Sequence, residues 1–187
     1  MRVSISAGPR QTMKMLIRHL AAVTVLPFTV TVLVPFWIAQ KYGVRLAIRE
    51  AIGPISLQVI GVALLIVGLA LFLASLWHFA TEGKGTLAPW DPPREFVAGG
   101  PYRFVRNPMI SGVFFILFGE AFALLSRPHA VWAACFAILN LVFIPAVEEP
   151  QLERRFGDPY REYLRHVRRF IPRLRPWRPA AKDGGDA

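Results

Sequence analysis

The chain has 187 residues, of which 54% are hydrophobic, and it carries a net charge of +10. Its mean hydropathy of +0.41 is too high for an ordinary soluble domain. No recognised nucleic-acid-binding motif accompanies the positive charge, so the basic residues are read as membrane-facing and nucleic acid is set aside as a partner. A single cysteine, Cys135, excludes an intrachain disulfide. His19, His78, His129 and His166 have no cysteine partners at metal-ligand spacing, so no metal site is expected.

Four apolar runs appear in chain order. Residues 20–39, 55–77 and 130–147 carry no charge, and 110–126 carries only Glu120. Crossing a hydrocarbon core of roughly 30 Å takes about 20 helical residues. The expectation is therefore an all-α integral membrane protein with four transmembrane helices, forming one domain over 1–175. The first run follows Arg10, Lys14 and Arg18, as a signal peptide would. It is long for one and is interrupted by Pro27 and Pro35, so it is read as a retained helix.

Charge placement orients the chain. With both termini cytoplasmic, the inner side holds Arg2, Arg10, Lys14, Arg18, Lys84, Arg94, Arg103, Arg106 and the arginine-rich segment from Arg154 onward. The outer loops hold Lys41, Arg45, Arg49 and Arg127. This follows the positive-inside rule and fits a bacterial inner membrane, with membrane lipids as partners. Oligomeric state is not fixed by the sequence.

In the second run Gly61 and Gly68, seven residues apart, predict close helix packing. Between Trp77 and Ile110 the many glycines and prolines preclude a continuous helix and predict a structured loop. Arg127-Pro128-His129 is read as the tight turn joining helices three and four. That antiparallel hairpin returns Asn107 and Glu148 to one side of the membrane.

Beyond Pro150 a short helix should stop at Gly157. Asp158-Pro159 then reads as N-cap and first helical residue. Tyr160, Tyr163, Leu164 and Val167 share one face of the next helix, which is predicted to lie on the inner interface and end at Pro172. Residues 176–187 are read as a disordered tail.

The candidate chemistry gathers at the inner end of the hairpin. Arg106 offers a planar fork for a carboxylate or phosphate, and Asn107 both a donor and an acceptor. Pro108 suits a first helical turn. Glu148 and Glu149 point about 100° apart on a helix, so one can face a ligand while the other meets a protein partner. Glu120, a carboxylate within an apolar helix, is a candidate for lining a substrate site. Such a pocket suits a zwitterionic, partly cationic cofactor and an amphiphilic substrate. No Ser/His/Asp arrangement and no phosphate-cradling glycine loop is present.

At these positions the sequence resembles the membrane methyltransferases related to isoprenylcysteine carboxyl methyltransferase and phosphatidylethanolamine N-methyltransferase. The matching residues are Gly100-Pro101-Tyr102, Arg106-Asn107-Pro108, Gly112, Glu148-Glu149, Leu152, Phe156-Gly157, Tyr160, Tyr163 and Arg169-Phe170-Ile171-Pro172, within 99–172. Asn107 stands where the family more usually has His, and Ile110 where many members have Tyr.

The resemblance implies S-adenosylmethionine as cofactor and methyl transfer to a lipophilic or lipid-like acceptor at the inner face. Arg106, Asn107, Glu148 and Glu149 are then the catalytic candidates. Gly100, Pro101, Tyr102, Pro108 and Gly112 join them around the cofactor, with Glu120, Tyr160 and Tyr163 on the substrate side. Two alternatives stand beside this reading. One is an NADPH-dependent membrane reductase of the steroid or sterol reductase type, which the same half resembles. The other is a non-enzymatic membrane scaffold.

Overall fold

The structure, a computed structural model, describes residues 24–46, 52–83 and 96–178. Every regular element among them is helical. A π-helical stretch, Thr24–Leu33, contains Pro27 and leads into α1 (Val34–Tyr42). Gly43, at φ 63°, ends α1 in the left-handed conformation that glycine adopts without cost. Next comes α2 (Ile52–Glu82), then a 3-10 turn (Gly100–Arg103) and α3 (Pro108–Ala123).

Helix α4 (Arg127–Phe143) passes through a π-helical turn (Ile144–Glu148) directly into α5 (Glu149–Phe156). Pro145 and Pro150 each lack an N–H, and the ladder shifts register here instead of breaking. Such π turns recur at functional sites. The last helix is α6 (Asp158–His166).

Two helical rods, Gly53–Glu82 and Arg127–Phe156, are long and apolar enough to cross a membrane. Each has 30 residues, a rise of about 45 Å. Only 22% and 17% of their most apolar stretches are buried, so these are not core helices of a soluble protein. Ile66, Ile138 and Leu139 stand 65%, 63% and 64% exposed along them, as lipid-facing side chains do. The protein is a membrane protein. Of the two other expected crossings, α3 has 16 residues, about 24 Å of rise. The first run lies partly outside the described residues.

Helix α2 runs five residues past Trp77, where the apolar run ends, because His78 and Glu82 pair at i, i+4 across its last turn. It packs along α3 through two glycine pairs. A Cβ on Gly68 would lie 2.8 Å from the Gly112 carbonyl, and one on Gly61 would overlap the backbone of Ala123. The spacing of Gly61 and Gly68 thus serves the close approach expected of it.

The hairpin forms as expected, but its turn falls one step earlier. Leu124–Ser126 make the link, with Leu125 at φ 48°, and Arg127-Pro128-His129 is already the first turn of α4. Ser126 caps that turn, and its Oγ lies 2.7 Å from Nδ1 of the buried His129. The other ring nitrogen of His129 reaches the Pro35 carbonyl at 3.1 Å. Trp132 donates its indole N–H to the Val30 carbonyl at 3.1 Å. Together these hydrogen bonds fasten α4 to the first helical segment.

The C-terminal region corrects four expectations. Gly157, at φ 61°, is the N-cap of α6, so Asp158 is already helical, and the helix ends at His166 instead of continuing to Pro172. Its apolar face does not lie on the lipid. Tyr160, Tyr163 and Val167 are buried against Phe96 and Trp177, with the Tyr163 ring 5.0 Å from Phe96 and 5.3 Å from Trp177. Trp177 is only 7% exposed, so the ordered chain extends into the expected tail. Residues 179–187 lie outside the described residues, as do 84–95 of the expected loop.

Candidate active site

After α6 the chain becomes an extended strap that returns across residues 103–107. Arg106 donates its backbone N–H to the Arg168 carbonyl at 2.9 Å, and Asn107 donates to Arg169 at 3.3 Å. Arg173 donates to Phe104, and Trp177 to Arg103, each at 2.9 Å. The Arg103 side chain closes the far end on the Trp177 carbonyl, also at 2.9 Å. The segment before α3 and the Arg-x-Ile-Pro segment are thereby held as one unit.

That unit sets the arginines against the hairpin's other end. Arg106 Nη1 lies 3.1 Å from Glu149 Oε1. Arg169 grips the same carboxylate with two N–H groups, at 2.8 and 2.7 Å. The Glu149 and Arg106 side chains are 13% and 14% exposed. One carboxylate shared by two guanidiniums at this burial is a structural clasp. Arg106 Nε is buried without a partner.

Glu148, the adjacent carboxylate, makes no hydrogen bond or ion pair among the described residues. Its charge is felt by Tyr102. Burial pushes the Tyr102 phenol well above its ordinary range, and the charges of Glu148 and Glu82 push it further the same way. Tyr102 therefore stands as a neutral hydroxyl near two acids. Tyr163 fixes its backbone by donating its hydroxyl to the Tyr102 carbonyl at 2.6 Å. Tyr160 and Tyr163 are likewise raised, chiefly by burial.

A second contact to this turn comes from α2. Glu82 accepts from the Gly99 N–H at 3.1 Å, while its other oxygen lies 2.6 Å from His78 Nδ1. Gly100 has φ 48°, and a Cβ there would overlap the His78 ring. Glycine is thus required at this place on two counts. His78 and Glu82 were not singled out in the sequence, although their i, i+4 spacing just past an apolar run was a signal.

The structure brings together Tyr102, Arg106, Glu148, Glu149 and, on the same segment, Gly100, Pro101 and Asn107. The Asn107 side chain has no hydrogen bond among the described residues. Four candidates fall elsewhere. Gly112 sits in the α2–α3 contact, with the space of a side chain filled by α2. Pro108 is fully buried at the start of α3. Tyr160 belongs to the aromatic cluster. Glu120 lies twelve residues along α3, roughly 18 Å of rise from its start, with Oε2 buried and unpartnered.

Arg106 and Glu149 neutralise each other, and a cavity of about 640 Å³ opens on the arginine side, lined by Arg106 and Arg169 but by neither glutamate.

Residues 57–159, more than half of the chain, match the phospholipid methyltransferase family. The chain belongs to that family. Methyl transfer is therefore the family's chemistry, in preference to NADPH-dependent reduction or a scaffold role. The chain is also similar to methanethiol S-methyltransferase 1 of Bradyrhizobium diazoefficiens. The two are 40% identical over 81 residues, which is 43% of this chain and 27% of that protein. The chain therefore spans only about a quarter of that relative's length in the match. No solved structure matches the chain.

Proposed function

We propose that the protein transfers a methyl group from S-adenosylmethionine to a small lipophilic or lipid-like acceptor at the inner face of a bacterial inner membrane. Both termini are then cytoplasmic, the helical segments make four crossings, and the acceptor arrives from the lipid phase. The observation that carries this reading is the division of labour between neighbouring acids. Glu149 is consumed by Arg106 and Arg169, while Glu148, next to it in sequence, has no hydrogen bond or ion pair among the described residues.

The donor set fits the cofactor. Glu148 would hold an ammonium or ribose hydroxyls, and the unpartnered Arg106 Nε–H and the Asn107 amide would hold a carboxylate or a ring edge. When bound, S-adenosylmethionine supplies an electrophilic methyl group on a cationic sulfur. The chain's own contribution is orientation and exclusion of water. The strap and the Glu149 clasp fix Arg106, and the contacts of Glu82 and Tyr163 fix the Tyr102 turn, so that little reorganisation is needed at reaction. Asn107 cannot take up a proton as a histidine would, so this position offers no proton acceptor for the reaction.

The methanethiol methyltransferase similarity favours a small thiol among the acceptors, beside lipid amines and carboxylates. Labelled methyl transfer from S-adenosylmethionine into a total membrane extract tests the reading. Incorporation by the wild-type chain and none by Glu148→Gln supports it. Equal incorporation by both removes the role of Glu148.

A further inference from the structure

The arginine-side cavity has a composition the methyl-transfer reading does not use. Its volume of about 640 Å³ falls within the range of small-molecule sites, roughly 300–1,000 Å³. Besides Arg106 and Arg169 it is lined by Arg165, Arg168, Arg173 and Arg175, and no carboxylate lines it. None of these last four makes an ion pair among the described residues. Arg173 Nη1 is buried with no hydrogen-bond partner among the described residues.

Six arginines lining one cavity, four of them without an ion pair among the described residues, give it a strong excess of positive charge. Several planar forks suit the oxygens of a phosphate better than a lone carboxylate. The cavity rim adds a second property. Leu174 lines it and is fully exposed, and the nearby Ile171 is 61% exposed. Apolar side chains beside basic ones mark a surface that meets headgroups and acyl chains together.

We propose that this cavity binds a phosphate group, carried by the headgroup of an anionic phospholipid whose chains lie against Leu174 and Ile171. Neither glutamate lines this cavity. Because Arg106 and Arg169 line it and also hold Glu149, occupancy would share their charge with Glu149 and couple local lipid composition to the clasp.

The full chain, purified in neutral detergent, can be titrated with dioctanoyl phosphatidic acid, dioctanoyl phosphatidylcholine or inorganic phosphate at matched ionic strength, reading thermal stability. A ligand that binds only the folded state raises the transition in a saturable way. The expected result is a saturable rise with phosphatidic acid and none with phosphatidylcholine. Affinity should fall at least tenfold in the triple variant Arg165→Gln, Arg168→Gln, Arg173→Gln. The double variant Arg165→Gln, Arg168→Gln, which alters only exposed side chains, should weaken binding in the same direction and guards against misfolding of the triple.

An equal response to inorganic phosphate overturns the lipid as its source. The site itself is overturned by no saturable response, by one undiminished in both variants, or by one abolished by saturating S-adenosylhomocysteine, which would return the arginines to the cofactor. None of these readouts depends on methyl transfer, so failure here leaves the proposed activity standing.

Discussion

Arg106 and Glu149, 43 residues apart in the chain, meet at 3.1 Å. Arg106 stands just before α3 and Glu149 where the α4 rod becomes α5, so their contact closes the hairpin at the end opposite its turn. With both side chains about seven-eighths buried, removing the charge of one strands the other. Glu149→Gln should therefore destabilise the protein by about 3 kcal/mol. Arg169→Lys should cost less, because it loses only the two-pronged grip of a more exposed group. Thermal unfolding of the variants in detergent checks the order, and a Glu149→Gln protein as stable as wild type would dismiss the clasp.

Glu148 should behave in the opposite way. No hydrogen bond or ion pair among the described residues is lost with its charge, so Glu148→Gln should change stability by no more than about 0.5 kcal/mol. Binding of S-adenosylmethionine should nevertheless weaken at least tenfold, about 1.4 kcal/mol. Calorimetric titration of the cofactor into both glutamate variants separates ligand contact from scaffold. Loss of binding in Glu149→Gln alone would reverse the assignment.

The meeting of Arg106 with Glu149 was legible in the sequence, because a short link between apolar runs forces an antiparallel hairpin and fixes which ends coincide. The glycine contact of α2 was legible for a similar reason, since spacing along one helix sets one face. The partners of Glu149 were not, because Arg169 reaches it through a strap whose path is set by backbone hydrogen bonds and not by periodicity. Trp177 lies among prolines and arginines, a composition that reads as solvated, yet it fills the gap beside Tyr163. The apolar face of α6 was visible, but a helical pattern alone does not say whether lipid or protein covers it. His78 and Glu82 were hidden by the end of the apolar run, which falls before the end of α2.

Tyr102, Tyr160 and Tyr163 supply a pH prediction. Burial raises all three phenols above their ordinary value, which is about 10 in an unfolded chain. The folded state therefore holds more protons than the unfolded state above that pH, and its stability must fall as pH rises beyond about 10. Below that point their contribution is complete and constant. Ultraviolet difference titration should show at least three of the four tyrosines silent near pH 10 until the protein unfolds.

Tyr163→Phe keeps the ring against Phe96 and Trp177 but removes the 2.6 Å hydrogen bond to the Tyr102 carbonyl. A buried carbonyl losing its donor should cost about 1–2 kcal/mol. The loss falls on the turn that carries Tyr102, so kcat/KM for methyl transfer should drop further than stability alone explains. Comparing Tyr163→Phe with a variant of equal melting temperature remote from the turn, such as a trimmed α1 side chain, measures that excess. Identical kcat/KM in the two would reduce Tyr163 to packing.

The helix contact beneath the site makes the last prediction. Gly61→Ala would drive a methyl group into the backbone of Ala123. Backbone cannot rotate aside as a side chain can, so α2 and α3 must separate, at a cost of about 1–3 kcal/mol. Gly53→Ala, on the same helix, meets nothing within 4 Å. It should leave stability unchanged or raise it by up to about 1 kcal/mol through helix propensity. Because α2 also carries His78 and Glu82 to the Gly99–Gly100 turn, Gly61→Ala should lower methyl transfer too, while Gly53→Ala should not. Paired melting and activity measurements decide it, and an equal response of the two variants would mean that contact with α3 does not hold the turn in place.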